Sequence, residues 1–503
     1  MKQPHRPIRE ANFTDGPIAL PLIRFVFPIM FAMLVQSLYG AVDLLVVGQF
    51  SDAANVSAVS VGSQIMHSAT VVIIQLAVGT TILLGQYIGQ KRVEECGKVV
   101  GATIFTFGLI GIALAVAMQF FAPGAATLMN APAEAFDQTV SYVRICGAGA
   151  VFIVAYNILG GIFRGIGDAK LPLIAVLIAA VFNVFGDLFF VAVLHMGAAG
   201  AAAATVISQA LSVILSLFVI RRRGMPFPFR VSDIAFHRPV ISRILKLGAP
   251  LALQDLLVSI SFLIILAIVN RLGVIASAGV GVAEKLCGFI MLLPSSFSQA
   301  VSSFVAQNYG AKKMLRAEKA LRIGIGISFG CSLLVGYFAF FHGTALSSVF
   351  SNDAAVCQAS ADYLKAYAID CLLTSFLFCF IGYFNGCSET RFVMIQGIAG
   401  AFGVELATAL QTPDRLVSGT LADATVKSGT PPLLVWAGPK ATYSANAGAE
   451  LFVSVRGRFA KGVKYDNASL THIGGAVIED FDPVRVIISS IPNSSSLFIK
   501  NNN

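Results

Sequence analysis

Four side chains that carry oxygen atoms lie inside long apolar stretches of the first half of the chain: Asp43, Asn183, Asp187 and Thr205. Asn183 and Asp187 are four residues apart, so a helix places both on one face. Two carboxylates, an amide and a hydroxyl can form a hard oxygen site for Na⁺, and desolvated carboxyl groups can instead exchange a proton. The pattern predicts a site for Na⁺ or H⁺. The alternative is that the acids only hold helices together.

The second half carries a different set of acids in its apolar stretches, Asp255, Glu284 and Asp370. Asp255 follows shortly after a proline, and Asp370 lies in the middle of an apolar run. Both can line a substrate cavity, and we predict that role for them. The structural alternative for Asp370 is a hydrogen bond from Thr374, one helical turn later.

The elements that must position these side chains are long apolar helices. The chain is 56% hydrophobic and only 12% charged, whereas soluble domains carry about 25% charged residues. A membrane span needs about 20 apolar residues, which predicts an all-α polytopic membrane protein. The predicted helices cover residues 18–48, 56–88, 99–121, 139–163, 171–194, 198–220, 244–270, 276–306, 321–341 and 361–386.

Three segments of the chain recur 221 residues later in the numbering (310−89, 363−142 and 386−165), and we call this constant separation the repeat offset. The stretch Phe163–Lys170 recurs as Phe384–Arg391, and the stretch Gln86–Arg92 recurs as Gln307–Lys313. Tyr142-Val143-Arg144 recurs as Tyr363-Leu364-Lys365. A constant offset indicates duplication. A repeat of six helices has an even number of spans, so both halves enter the membrane from the same side and the repeat is parallel. Secondary transporters built in this way have their site between the two halves.

The repeat predicts an N-lobe over residues 18–220, a linker over 221–243 and an incomplete C-lobe over 244–404. Lys and Arg residues are concentrated in alternate loops and in this linker. The loops between them, 49–57, 122–138, 195–199 and 342–362, contain no Lys or Arg. This bias predicts a cytoplasmic N-terminus, residues 1–17, in the cytoplasmic membrane. The net charge of +9 therefore reflects loop bias, and we expect membrane lipids as surroundings and no nucleic-acid partner.

The composition changes after residue 404. The apolar run 392–404 is too short to span a bilayer, and residues 405–503 are rich in Gly, Ser, Thr and Pro. Short strands are predicted at 451–456 and 476–478, with turns at 466–467 and 474–475. We expect a non-membrane, β-rich tail, or an unrelated out-of-frame sequence, in place of the last two helices of the second repeat.

The chain resembles the multidrug and toxic compound extrusion (MATE) transporters over residues 14–404. The resemblance rests on motifs in the right order and at the right spacing, namely Pro28, Gln36, Tyr39, Asp43, Val47-Gly48, Arg164–Lys170, Asn183, Asp187 and Gly197–Thr205. It implies a two-lobe antiporter that exports organic cations against Na⁺ or H⁺. It also implies that Asp43, Asn183, Asp187 and Thr205 form the cation site, and that Gln36 and Tyr39 help to line the substrate cavity.

Several functions are compatible with these patterns. A monomeric, cation-coupled drug exporter that needs no cofactor beyond its coupling ion fits the acids in the spans. A flippase for a lipid-linked anionic sugar would need several Arg or Lys residues in the cavity. A degenerate, non-transporting membrane protein is the third alternative. An enzyme is the least expected, because the sequence has no GxxxxGK[ST] loop, HExxH motif or nucleophile elbow.

Overall fold

The computed structural model describes residues 13–270 and 274–406 and four short strands between residues 435 and 501, with the side chains of Tyr39 and of residues 404 onwards outside the description. The helices are α1 (Ala19–Phe50), α2 (Ala53–Gly89), α3 (Val93–Leu128), α4 (Phe136–Ala148), α5 (Ala150–Ile166), α6 (Lys170–Asp187), α7 (Gly197–Arg223), α8 (Arg238–Asn270), α9 (Val274–Ile290), α10 (Leu292–Gly310), α11 (Met314–Phe341), α12 (Gly343–Ser347), α13 (Ala354–Gly386) and α14 (Thr390–Ile398). Short 3₁₀ turns cover Ala133–Ala135 and Val231–Asp233, and π-helical segments cover Leu188–Val193 and Ala399–Leu406.

Each of the ten predicted helices corresponds to an observed helix, to two consecutive helices or to a bent pair. Within the described residues, nine helical segments are long and apolar enough to cross a membrane, and α9 and α10 together form one of them. The bent pair Ala133–Ala148 and Ala150–Ile166, with an angle of 56°, makes a tenth if it counts as one span. The prediction of an all-α polytopic membrane fold is therefore confirmed.

The outer faces of these helices are apolar. Large side chains such as Leu45, Phe120, Phe121 and Phe185 are more than half exposed, at 63%, 76%, 69% and 66%. In water such a surface would drive association. In a bilayer the lipid chains cover it, so the same residues favour insertion.

The described chain divides into two compact units. One contains Met1–Asp255, Pro294–Gly326 and Phe378–Met394, and the other contains Leu256–Leu293, Ile327–Leu377 and Ile395–Asn503. These units do not coincide with the predicted lobes, because parts of α10, α11 and α13 group with the first half of the chain. The predicted boundaries at 18–220, 221–243 and 244–404 remain predictions.

Close packing between α2 and α10 explains why α10 groups with the first half of the chain. The two helices cross at Gly85 and Gly89 of α2 and at Ala306 and Gly310 of α10. A Cβ at Gly85 would lie 3.0 Å from the Ala306 Cβ. A Cβ at Gly89 would overlap the Gln307 carbonyl, and one at Gly310 would overlap the Gln86 carbonyl. Small residues four apart on both helices let the backbones touch. We call this contact the α2–α10 crossing.

Two glutamines reach across the α2–α10 crossing in opposite directions. The Gln86 amide donates to the Gly386 carbonyl at 3.0 Å and to the Ser388 hydroxyl at 2.7 Å. The Gln307 amide donates to the carbonyl of Gly165 at 3.5 Å and to that of the next residue at 3.4 Å. The repeat offset relates Gln86 to Gln307, and it also relates Gly165 to Gly386. The duplicated segments therefore bind each other reciprocally.

Four strands are described beyond residue 406. β1 (Val435–Trp436) pairs antiparallel with β2 (Ser454–Val455), which falls within the predicted strand 451–456. β3 (Val484–Ile491) pairs antiparallel with β4 (Ser494–Asn501). This hairpin was not predicted, although a Val- and Ile-rich run favours a strand and the following Pro492-Asn493 pair favours a turn. The predicted strand 476–478 and the turns at 466–467 and 474–475 lie outside the described residues.

Candidate cation site

The four predicted cation ligands come from three helices that pack together, α1, α6 and α7. A Cβ at Gly186 on α6 would lie 2.9 Å from the Ala204 Cβ on α7. The start of α7 is built from small buried residues, including Gly197, Gly200 and Ala201. Small side chains permit this close approach of two helices. The approach brings Thr205 on α7 opposite the polar face of α6.

The structure brings all four side chains together. The Thr205 hydroxyl donates to Asp43 Oδ2 at 3.3 Å, and the Asn183 amide donates to the Thr205 hydroxyl at 3.5 Å. Asp43 is 5% exposed, and Asn183 and Asp187 are fully buried. The carboxyl groups of Asp43 and Asp187 are close enough to hydrogen-bond once one of them carries a proton. We call these four residues the cation cluster.

Four oxygen atoms of the cation cluster are buried without a donor: Asp43 Oδ1, Asn183 Oδ1 and both carboxylate oxygens of Asp187. None of the ion pairs among the described residues involves either aspartate. Buried acceptors without partners cost free energy unless a proton or a cation compensates them. All four side chains can present an oxygen atom to a cation, and hard cations prefer oxygen ligands. The residues therefore fit Na⁺ or H⁺.

A polar network outside the apolar region fixes the start of α7. The Asp52 side chain caps α2 by accepting from the Asn55 backbone N–H at 2.9 Å, and the Asn55 side chain accepts from the Ala198 N–H at 2.8 Å. The backbone N–H of Asn55 holds the pKa of the exposed Asp52 carboxyl below its usual value. Gly197 precedes Ala198 with φ +55°, a left-handed conformation that favours glycine. This cap anchors the helix that supplies Thr205.

Of the residues predicted for the substrate cavity, Gln36 and Asp255 belong to the same compact unit but do not line a common cavity. Gln36 lines a cavity formed by α1, α5, α6, α7 and α10, and the side chain of Tyr39 lies outside the described set. Asp255 does not line this cavity and accepts from the Gln75 amide at 3.2 Å. Asp370 belongs to the other compact unit and is 8% exposed. The Thr374 hydroxyl donates to the Cys371 carbonyl at 3.0 Å.

Arg164 also lines this cavity, although the predicted helix 139–163 ends one residue before it. It lies in the last turn of α5, which continues to Ile166 and ends at Gly167 with φ +90°. Gly167 at this position is a helix C-cap signal, and it could have placed Arg164 inside the helix. The equivalent position of the second repeat holds Asn385.

The family model described as MatE matches this chain twice, at residues 28–189 and at residues 250–410. The first residues of the two matches, 28 and 250, are separated by nearly the repeat offset, so the matches agree with the internal repeat. Together they cover more than half of the chain. Both Asp43 and the polar pair of α6 lie within the first match.

Curated relatives and solved structures agree with this match. The chain is 29% identical over 330 residues to the probable multidrug resistance protein YoeA of Bacillus subtilis, covering 63% of this chain and 71% of the relative. It is 23% identical over 389 residues to the multidrug export protein MepA of Staphylococcus haemolyticus, covering 77% and 85%.

Among solved structures, a MATE in complex with MaD3S aligns with a TM-score of 0.77 at 22% identity, covering 84% of this chain and 96% of that one. An outward-facing multidrug resistance MATE family transporter aligns with a TM-score of 0.76 at 22% identity, covering 82% and 92%. At this level of identity the likeness shows a shared fold. With the two family matches, it follows that this chain belongs to the MatE family of membrane transporters.

Proposed function

We propose that this transporter exports small organic cations, drugs among them, across the cytoplasmic membrane in exchange for Na⁺ or H⁺. The names of the relatives, multidrug resistance and multidrug export proteins, support the substrate class. The cation cluster supports the coupling. We propose that the chain works as a monomer without any cofactor except the coupling ion.

The observation that carries the proposal is the burial of two carboxyl groups of one cluster, Asp43 and Asp187, with three of their four oxygens left without a hydrogen-bond partner. Two adjacent carboxylates in a desolvated site cannot both stay ionised without compensation. The coupling ion supplies a positive charge there when it is bound. The Thr205 hydroxyl orients the Asp43 carboxylate, and the Asn183 amide contributes its free oxygen.

Such a site can couple an ion to the conformation of the helices around it. When the ion leaves, the two carboxylates repel each other, and any arrangement that separates α1 from α6 becomes more favourable. A ligand shifts an equilibrium between two states by its difference in affinity for them. We therefore propose that ion exchange at the cation cluster drives alternating access. We propose Gln36, Tyr39, Asp255 and Asp370 as residues that the substrate contacts on its route.

Neutralising either acid of the cation cluster tests the coupling. We expect Asp43→Asn and Asp187→Asn to reduce ethidium efflux from proteoliposomes to the background level, because an amide cannot exchange charge with the ion. Imposing a Na⁺ gradient and a pH gradient separately shows which ion drives the wild type. Asp137→Asn, an exposed acid at the start of α4, is the matched control. Wild-type efflux in both cluster variants would contradict the proposal.

The loop charges lead us to propose that the N-terminus and residues 221–243 face the cytoplasm. In a variant lacking the native cysteines, an impermeant thiol reagent added outside cells should label Ala355→Cys but not Arg222→Cys. Both positions are exposed. External labelling at position 222 would reverse the orientation.

A further inference from the structure

The cavity that contains Gln36 has a charge character opposite to that of the cation cluster. Its lining residues include Arg164 and three residues with side-chain amides, Gln36, Asn157 and Gln299. No Asp or Glu is among its lining residues, all of which belong to the described part of the chain. The cavity lining therefore carries one positively charged side chain and no negatively charged one.

Arg164 does not turn its charge towards the basic loops at the end of α5. Its guanidinium lies beside Gly160, one turn earlier, where a Cβ would be 3.1 Å from Nη1. An arginine near the end of a span usually extends towards the interface. Here it folds back along α5 into the cavity, and Gly160 provides the room. Charged residues that face a cavity inside a membrane bundle commonly mark a ligand or ion pathway.

Within the described part of the chain, no acidic partner neutralises Arg164. The ion pairs among the described residues are Arg92–Glu95, Lys313–Asp15, Arg322–Glu318 and Lys365–Asp362. Tyr156 also lines the cavity. An arginine without a counter-ion in an apolar bundle is costly unless a ligand supplies the charge.

The size of the cavity limits what can enter it. Its volume is about 70 Å³, which is more than the roughly 10–15 Å³ that a cavity needs to hold one water molecule and less than the roughly 300 Å³ or more of pockets that enclose drug-sized ligands. A carboxylate or a chloride ion fits this space, but a whole drug molecule does not. A planar guanidinium binds a carboxylate through two parallel hydrogen bonds. The body of a larger ligand would lie beyond the mouth of the cavity.

We propose that this cavity is an anion subsite in which Arg164 binds a small monovalent anionic group, either a carboxylate carried by the substrate or a free chloride ion. With a substrate carboxylate, the export substrates would include zwitterions, whose cationic part the acids attract. The inference rests on the proposed export function, because export is what brings the ligand to this cavity. Binding to the purified full chain can be measured without transport.

Two dyes that differ in one group test the substrate carboxylate. Rhodamine 110 carries a free carboxylate, and rhodamine 123 is its methyl ester. We expect wild-type protein in detergent to bind rhodamine 110 more tightly by about tenfold, measured by fluorescence polarisation. Arg164→Asn, which copies the residue of the second repeat, should abolish this preference and leave binding of the ester within about twofold. Lys170→Gln, an exposed cation of the same motif, should keep the preference.

Radiolabelled chloride tests the other source by scintillation proximity on the same proteins. Chloride binding that Arg164→Asn removes, without any dye preference in the wild type, would assign the subsite to the free ion. If the wild type shows neither effect, or if Arg164→Asn changes neither, the inference is overturned.

Arg164→Lys tests the role of the charge separately from any effect on folding, because it keeps the positive charge but not the planar guanidinium group. Retained discrimination between the dyes in this variant supports the subsite even if Arg164→Asn fails to fold. If Arg164→Asn and Arg164→Lys both lose binding of the two dyes to the same extent, then Arg164 has a purely structural role and the proposed anion subsite is overturned. Because these assays need no ion gradient, a failure of coupled efflux would not affect their outcome.

Discussion

In the first half of the chain Gln86 and Gly89 end α2, and at the repeat offset Gln307 and Gly310 end α10 in the same way. Each pair contacts the other across the α2–α10 crossing. The cation cluster has no such counterpart. The positions that the repeat offset relates to Asp43 and Asn183 hold Ile264 and Val404.

This difference separates two tasks within one duplicated sequence. A contact between repeats needs both copies, because each glycine accommodates the backbone of the other helix. A charged site needs only one copy, and every additional buried acid costs free energy in the membrane. We infer that the shared crossing holds the two repeats together, while the first repeat alone exchanges the ion.

Paired substitutions of the acids in each half test whether ion exchange is confined to the first repeat. Asp43→Asn combined with Asp187→Asn should remove ion-driven efflux. Asp255→Asn combined with Asp370→Asn should keep it and raise the KM for ethidium by roughly fivefold, through loss of about 1 kcal/mol of substrate attraction. Efflux rates in proteoliposomes at several substrate concentrations measure both quantities. Loss of coupling in the second pair would show that both halves carry the ion site.

A second test concerns the symmetry of the crossing. Gly89→Ala and Gly310→Ala should each lower stability by about 1–3 kcal/mol, because the added Cβ meets backbone that cannot move aside cheaply. Thermal unfolding of the purified protein in detergent measures the loss. Gly108→Ala on α3, where a Cβ would meet nothing within 4 Å, is the control. A large effect of only one of the two glycines would break the proposed symmetry.

A third test concerns the two glutamines at the α2–α10 crossing. Gln86→Ala should cost about 1 kcal/mol, and Gln307→Ala should cost less. The reason is that the Gln86 amide donates at 3.0 and 2.7 Å, whereas every hydrogen bond of the Gln307 side chain is long: its amide donates at 3.5 and 3.4 Å, and its oxygen accepts from the Phe13 N–H at 3.4 Å. The same unfolding assay, with the double variant, gives their coupling. A greater loss for Gln307→Ala would contradict the geometry.

Much of the fold follows from local patterns in the sequence. Apolar run length predicts the spans because a helix rises by a fixed distance per residue and the bilayer has a fixed thickness. The boundaries were less predictable. The predicted helix 139–163 is bent after Ala148, and the predicted start at 99 lies inside α3, which begins at Val93. Polar residues at span ends continue a helix without changing the hydrophobic pattern.

The spans, the repeat and the four residues of the cation cluster could be predicted from the amino-acid sequence, because an oxygen-bearing side chain in an apolar run stands out without any knowledge of its neighbours. Which atoms meet depends on tertiary packing. It placed Thr205 against Asp43, folded Arg164 back past Gly160 into a cavity without acids, and joined Gln86 to Gly386 from the opposite half of the chain. These contacts depend on the packing angles and depths of separate helices, which hydrophobic periodicity along one helix does not encode.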